Sequence, residues 1–167
     1  QALFGAPEFF NSAKGMSNAM EKDTLVLEQE NGARIQLDEY GGLLLCLPLE
    51  RGRQERGFGF MAVIEENVLK ELTTALAYAN WTLETVDASQ RLTHVAVAAK
   101  IEANDYMSWR TQAEQDASPN SGTMNMGGGD HEQLQAQGNW PRAALRLEAH
   151  RLAEDIMVHL RRFWKKR

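Results

Sequence analysis

Apolar residues alternate with polar ones in some stretches of this chain and recur every three or four residues in others. Residues 25–37 alternate in this way on either side of Asn31-Gly32. An Asn-Gly pair favours the two positive φ angles of a type I′ turn, so this stretch predicts a β-hairpin. Tyr40-Gly41-Gly42 predicts a second turn, and the apolar run Leu43–Leu47 predicts a buried strand after it.

The spacing changes to a helical period in the middle of the chain. Apolar residues at every third or fourth position predict an amphipathic helix over Glu66–Ala79. Asn80 suits the left-handed position that ends a helix, so we place the end of the helix there. Alternation predicts further strands at Gly57–Ile64, Trp81–Val86 and Leu92–Ile101.

The C-terminal third combines a long polar stretch with a strongly amphipathic segment. Asp105–Gln115 predicts a short helix, and the Gly- and Asn-rich stretch 117–141 predicts a flexible loop. A long helix is expected over Arg142–Trp164. These elements together predict an α+β fold, with a mostly antiparallel sheet of five to six strands covered by the central helix and the C-terminal helix.

Composition places the chain among folded, soluble single domains. It has 167 residues, of which 43% are hydrophobic, and its mean hydropathy is −0.46. The apolar run Leu43–Leu49 is far too short to span a bilayer. Cys46 is the only cysteine; an intramolecular disulfide is therefore impossible, and a cytoplasmic location is expected.

Charge is distributed unevenly along the chain. The net charge is −5, yet residues 142–167 hold eight Lys or Arg residues against three Asp or Glu residues. The rest of the chain is therefore strongly acidic, which makes nucleic acid an unlikely partner. The basic residues near the end also complement the dipole of the last helix.

The first nineteen residues differ in composition from the rest of the chain. Ser17-Asn18-Ala19 before Met20 resembles the remnant of an expression vector, and residues 2–10 are unusually apolar and aromatic. Residues 1–19 are therefore a vector leader, a fused peptide ligand or a native terminus. A single α+β domain is expected over residues 20–167, and a fused ligand would mimic the segment of a client protein.

One motif suggests RNA as an alternative ligand. Residues 56–63 resemble the RNP1 signature of the RNA-recognition motif, in which two aromatic residues on a strand stack on bases. Phe58 and Phe60 would hold those positions. The acidic body and the lack of a preceding helix favour an ordinary Gly-rich strand instead.

No residue pattern nominates a catalytic or metal site. His150 and Glu154 form one pair at helical spacing, and Asp130-His131-Glu132 lies in the predicted loop. A catalytic zinc site needs three convergent protein ligands, and Cys46 has no identifiable base. We therefore predict no catalytic residue, no metal and no cofactor, with a small enzyme of unrecognised site kept as an alternative.

The order of elements from Glu66–Ala79 through Tyr78-Ala79-Asn80-Trp81 and the following strands resembles the class I type III secretion chaperones. The resemblance covers residues 24–101 and 142–164. It implies a cytoplasmic homodimer that holds an extended apolar segment of a client protein in grooves and along sheet edges. It also implies a dimer contact on the strand that carries Trp81 and Leu83. The candidate client-binding residues are Leu43, Leu45, Leu47, Phe58 and Phe60.

Overall fold

The fold is described here from a computed structural model, which describes residues 9–10, 15–49, 62–102, 108–119 and 135–165. The strands are β1 (Met16–Glu21), β2 (Thr24–Gln29), β3 (Arg34–Asp38), β4 (Leu43–Cys46), β5 (Ala62–Ile64), β6 (His94–Lys100), β7 (Ser108–Arg110) and β8 (Gln135–Pro141). The helices are α1 (Glu65–Val86), α2 (Gln112–Ala117), α3 (Arg142–Leu147) and α4 (Ala149–Lys165).

The predicted α+β class is confirmed, but the prediction of one sheet with five to six strands is wrong. The described strands form a four-stranded sheet in the order β1-β2-β3-β4 and two separate pairs, β5-β7 and β6-β8. The four-stranded sheet and β6-β8 are antiparallel, and β5-β7 is parallel. The helical core therefore packs against two short strand pairs rather than one broad sheet.

The four-stranded sheet begins within residues 1–19, which we predicted to be a vector leader, a fused peptide ligand or a native terminus. Met16 pairs with Gln29 and Glu21 pairs with Thr24, so β1 is the outer strand beside β2. All six residues of β1 are exposed. The origin of residues 1–19 stays a prediction, but residues 16–19 belong to the sheet.

Both predicted turns are confirmed as hairpin connections, with a different backbone geometry. Gly32 has φ +86° and Gly41 has φ +83°, whereas Asn31 is not in the positive-φ region. The Gly32 amide donates to the Gln29 carbonyl at 2.9 Å, and the Gln29 amide donates to the Ala33 carbonyl at 2.9 Å. This is a three-residue loop with glycine at the left-handed bulge position, not a type I′ turn.

The central helix is longer than its pattern predicted. It runs from Glu65 to Val86, so the predicted helix end at Asn80 and the predicted strand Trp81–Val86 are both wrong. The Thr82 hydroxyl donates to the Tyr78 carbonyl at 3.0 Å, as a threonine inside a helix can. Leu83 continues the core-facing stripe one heptad after Leu76, and this packing outweighs the strand propensity of the segment.

The strand that pairs with β6 comes from the stretch that was predicted to be a flexible loop. β8 pairs with β6 along its whole length, from His94 opposite Pro141 to Lys100 opposite Gln135. The flexible-loop prediction for 117–141 is thus wrong for Gln135–Pro141, and residues 120–134 lie outside the described residues. The Trp140 ring lies where a Cβ on Gly138 would be, so glycine at this position makes room for the indole.

The predicted helix Asp105–Gln115 is also divided differently. Ser108–Arg110 is a strand parallel to β5, and the helix starts after Thr111. Thr111 and Glu114 form a capping box, in which the Glu114 amide donates to the Thr111 hydroxyl at 3.2 Å and the Thr111 amide donates to the Glu114 carboxylate at 2.8 Å. This cap fixes the helix start at Gln112, seven residues after the predicted start at Asp105.

The C-terminal helix is present but interrupted at Glu148. Leu147 is 70% exposed at the interruption, and α4 then directs its apolar stripe into the core against α1. The core comprises Val63, Val68, Leu76, Ile101, Trp109, Leu145, Leu152, Ala153, Ile156, Met157, Leu160 and Trp164. Alternate residues of β6 are exposed, whereas Val95, Val97 and Ala99 pack against the core and Ile101 is buried.

Candidate peptide-binding site

Helix α1 carries apolar residues on two different faces. Val68 and Leu76 face the core, with Leu83 packed against it. Tyr78 and Trp81 are three residues apart, which places them side by side on another face of the helix. Their rings lie 5.5 Å apart between centroids, and neither residue belongs to the core cluster or to its packed neighbours.

Phe9 occupies this second face. Its ring centroid lies 5.0 Å from that of Tyr78, with 39° between the ring planes. Phe10 adds an edge-to-face contact to Phe9 at 5.5 Å and 71°. Four aromatic rings therefore follow one another from Phe10 through Phe9 and Tyr78 to Trp81, a row that we call the aromatic row.

The two described residues of this segment, Phe9 and Phe10, differ in burial. Phe9 is 7% exposed, whereas Phe10 is only half-buried. Complete burial of a phenylalanine side chain contributes about 1.5–3 kcal/mol, and a ring pair adds about 0.5–1.5 kcal/mol beyond the area buried. Phe9 is thus the anchor of this contact, and Tyr78 is the surface on which it sits.

The Tyr78 side chain is half-buried. Burial raises the pKa of the Tyr78 phenol above its ordinary value, while a hydrogen bond with Thr82 acts in the opposite direction. The side chain is therefore neutral at physiological pH. A neutral aromatic surface favours apolar ring contacts over charge-directed binding.

Polar contacts tie the N-terminal end of α1 to the rest of the core. The Glu65 carboxylate accepts from the Trp109 indole at 2.8 Å and from the Arg161 guanidinium at 2.9 Å. Glu66 accepts from the Gln112 amide at 2.8 Å, at the start of α2. The carboxylates that the sequence places in the first turn of the helix therefore hold three neighbouring elements.

The C-terminal end of α1 is held by a residue from another helix. Arg142 donates to the Asp87 carboxylate at 2.7 Å and to the Leu83 carbonyl at 3.0 Å. The last turn of α1 has no basic residue of its own, so Arg142 supplies the cation that a helix C-terminus favours. Both ends of the helix that bears Tyr78 are thus fixed.

The predicted client-binding leucines lie on the four-stranded sheet. Leu43 pairs with Leu37, and Leu45 pairs with Ile35, so these residues share one face of the sheet. Leu37 in turn pairs with Leu25, and this row reaches the outer strand at Met20. Leu47 follows β4 and is half-buried, and Phe58 and Phe60 lie outside the described residues.

The apolar row on this sheet is partly open. Met20 is 68% exposed and Leu25 is 38% exposed, whereas Ile35 is only 5% exposed. The sheet packs mainly within itself, and α1 packs mainly with α4 and α3. The apolar row lies on the four-stranded sheet and the aromatic row lies on α1, so the two are surfaces of different elements.

The predicted dimer-contact residues lie on a helix rather than on a strand. Trp81 is part of the aromatic row. Leu83 packs against the core cluster, so it has a structural role whatever else it does. A dimer contact at these residues stays a prediction.

In the described part of the chain, few side chains are grouped in a way that could serve catalysis or metal binding. His150 lies 3.5 Å from Glu154 and 3.5 Å from the Thr73 hydroxyl. Across the described ranges, no three His, Cys, Asp or Glu side chains are grouped as metal ligands. Burial raises the pKa of the Cys46 thiol, with Arg34 acting in the opposite direction, so this thiol is not activated as a nucleophile.

Sequence reasoning missed Tyr78 as a site residue. The apolar character of residues 2–10 was visible, but nothing in it indicated where the segment would sit. The available signal was the pair Tyr78 and Trp81 at helical spacing, off the main apolar stripe. Ending the helix at Asn80 hid that signal, because it placed the two rings in different elements.

Comparison with known proteins finds no matching protein family, no similar curated protein and no similar solved structure. The resemblance to the secretion chaperones therefore stays a prediction. Among the helices of the described residues, none has both the length and the apolar character that crossing a membrane requires.

Proposed function

We propose that this protein is a non-catalytic module that binds an apolar, aromatic peptide segment on the second face of α1. The observation that carries the proposal is the burial of Phe9 to 7% exposure on the ring of Tyr78. A binding face of this kind fits a secretion chaperone or adaptor, which holds a client segment without transforming it. In that function the segment around Phe9 represents the client.

The geometry of the contact supports binding of a peptide rather than a small polar ligand. The anchor is a single buried side chain, its neighbour Phe10 is half-buried, and the receiving surface is the side of a helix fixed at both ends. Binding energy at such sites comes from a few buried aromatic anchors. At such sites the side chains around the anchors contribute mainly by excluding water from them.

The partly exposed apolar row of the four-stranded sheet offers a client a second apolar surface. Met20 and Leu25 are exposed on the same sheet face as Leu43 and Leu45. A client chain longer than the aromatic segment would find apolar side chains and an outer strand there. Homodimerisation and a cytoplasmic location complete the proposal, on the strength of the resemblance alone.

Calorimetric titration with a synthetic peptide of residues 2–10 tests the proposal. The receptor is the full chain with Phe9→Ala, which empties the site without shortening the protein. We expect saturable one-to-one binding, and binding at least about tenfold weaker to the unsubstituted chain, because its own tethered Phe9 competes at a high effective concentration. No binding by the Phe9→Ala chain would overturn the proposal.

A matched pair of tyrosine variants locates the binding. In the Phe9→Ala background, Tyr78→Ala should abolish measurable binding of the peptide. Tyr40→Ala should leave binding unchanged, because Tyr40 is 89% exposed in the turn between β3 and β4. Equal loss in both variants would show that the peptide does not sit on Tyr78.

A further inference from the structure

The four rings of the aromatic row are not equivalent. Phe9 has two ring neighbours, Phe10 at 5.5 Å and Tyr78 at 5.0 Å. Phe10 contacts only Phe9 among the ring pairs of the described residues. The first aromatic residue is therefore buried with two ring neighbours, while the second is half-buried with one.

We infer that the site recognises an adjacent pair of aromatic residues, with the first as the buried anchor and the second as its cover. The inference rests on the proposed function and specifies its ligand class. The site selects aromatic side chains because Tyr78 and Trp81 offer ring surfaces. A pair of aromatic rings gains more binding free energy than its buried area alone provides. An aliphatic side chain of similar size buries comparable area at this position but forms no ring pair.

Trp81 extends this selectivity beyond the direct contact. Its ring lies 5.5 Å from that of Tyr78 at 43°. Tyr78 therefore has two ring neighbours, Trp81 and the anchor Phe9, and these contacts limit the orientations of its ring. A preoriented ring loses less conformational freedom on binding than a free one.

A series of peptides on the same receptor tests the inference. The receptor is the full chain with Phe9→Ala and Phe10→Ala, and the parent peptide is residues 2–10. We expect Phe9→Ala in the peptide to weaken binding about tenfold or more, and Phe9→Leu about two- to tenfold. Phe10→Ala, at the second member of the pair, should weaken binding measurably but less than Phe9→Ala, and an unchanged affinity would overturn the role of the second residue.

The outcomes separate this inference from the proposed function. If no peptide binds, the proposed function itself fails. If the parent peptide binds and Phe9→Leu binds equally well, the site takes apolar peptides without aromatic selection, and the inference is overturned. If Phe10→Ala is as damaging as Phe9→Ala, the anchor assignment is wrong.

A receptor variant gives a readout that loss of packing alone would not produce. With Tyr78→Leu in the receptor, the preference for Phe9 over Leu in the peptide should become smaller, because the ring pair with Tyr78 no longer forms and only the pair with Phe10 is left. Tyr78→Phe should preserve the preference. A preference of undiminished size with Tyr78→Leu would overturn the role assigned to Tyr78, and the peptide series decides the inference even if that variant does not fold.

Discussion

Arg142 and Asp87 form a salt bridge at 2.7 Å in which each side chain is only 11% exposed. The same guanidinium donates to the Leu83 carbonyl, and the Arg142 amide donates to the Thr93 carbonyl at 2.9 Å. One residue therefore joins the end of α1, the connection to β6 and the start of α3. The orientation of the helix that bears Tyr78 depends on this junction.

Loss of Arg142 should destabilise the fold, because the Asp87 carboxylate and the last carbonyls of α1 then lose their partner. We expect Arg142→Met to lower the melting temperature by roughly 5 °C or more in a thermal scan. Arg146→Met is the matched control on α3, since Arg146 is exposed, and its melting temperature should stay close to that of the parent chain. Equal effects of the two substitutions would contradict the assigned role.

Acid should weaken the same junction. The pKa of Asp87 is lowered foremost by the hydrogen bond from the Leu92 amide and further by Arg91, Ser89 and Arg142. A lowered pKa in the folded state adds stability above the unfolded pKa of about 4, and that stability is lost as the pH falls through the folded value. We expect melting temperature to fall more steeply below about pH 4 in the parent chain than in Asp87→Asn. Asp155→Asn, at an exposed position on α4, should keep the parental pH profile.

The core between α1 and α4 should be sensitive to truncation of Leu160, which is 1% exposed. Leu160→Ala is expected to lower the free energy of unfolding by about 2–5 kcal/mol, measured by urea denaturation. Leu147→Ala removes the same atoms at a position that is 70% exposed, and should change it by less than about 0.5 kcal/mol. A small effect at Leu160 would place the core elsewhere.

The first hairpin depends on the backbone of Gly32 rather than on space around it. Nothing lies within 4 Å of a Cβ built there, but its φ is +86°. We expect Gly32→Ala to destabilise the β2–β3 hairpin by about 1 kcal/mol, seen as faster amide exchange in both strands. Gly15→Ala meets only the Glu30 side chain at 3.8 Å, with no positive φ, and should leave that exchange unchanged.

The sequence predicted elements whose pattern is local and missed those defined by distant contacts. The hairpin turns at Gly32 and Gly41 and the amphipathic stripe of α4 follow from neighbours in the chain. β8 does not, because Gln135–Pro141 has little strand propensity and becomes a strand by pairing with β6. The parallel pairing of β5 with β7 joins segments more than forty residues apart, for which no local signal exists.

The candidate site was predictable only in part. The apolar segment 2–10 and the leucines of β4 stand out in the sequence, but the place where Phe9 sits does not. That place depends on α1 continuing past Asn80, which follows from the packing of Leu83 on the core and from the cap that Arg142 provides across 55 residues. Both are tertiary effects that override a local helix-ending signal.

The most direct test of the central claim is an intermolecular nuclear Overhauser measurement. The receptor is the full chain with Phe9→Ala, and the ligand is the peptide of residues 2–10 with an isotope-labelled Phe9 ring. The account predicts cross-peaks from the Phe9 ring to the ring protons of Tyr78. Cross-peaks to the methyl groups of Leu43 and Leu45 instead, or none from a bound peptide to Tyr78, would contradict it.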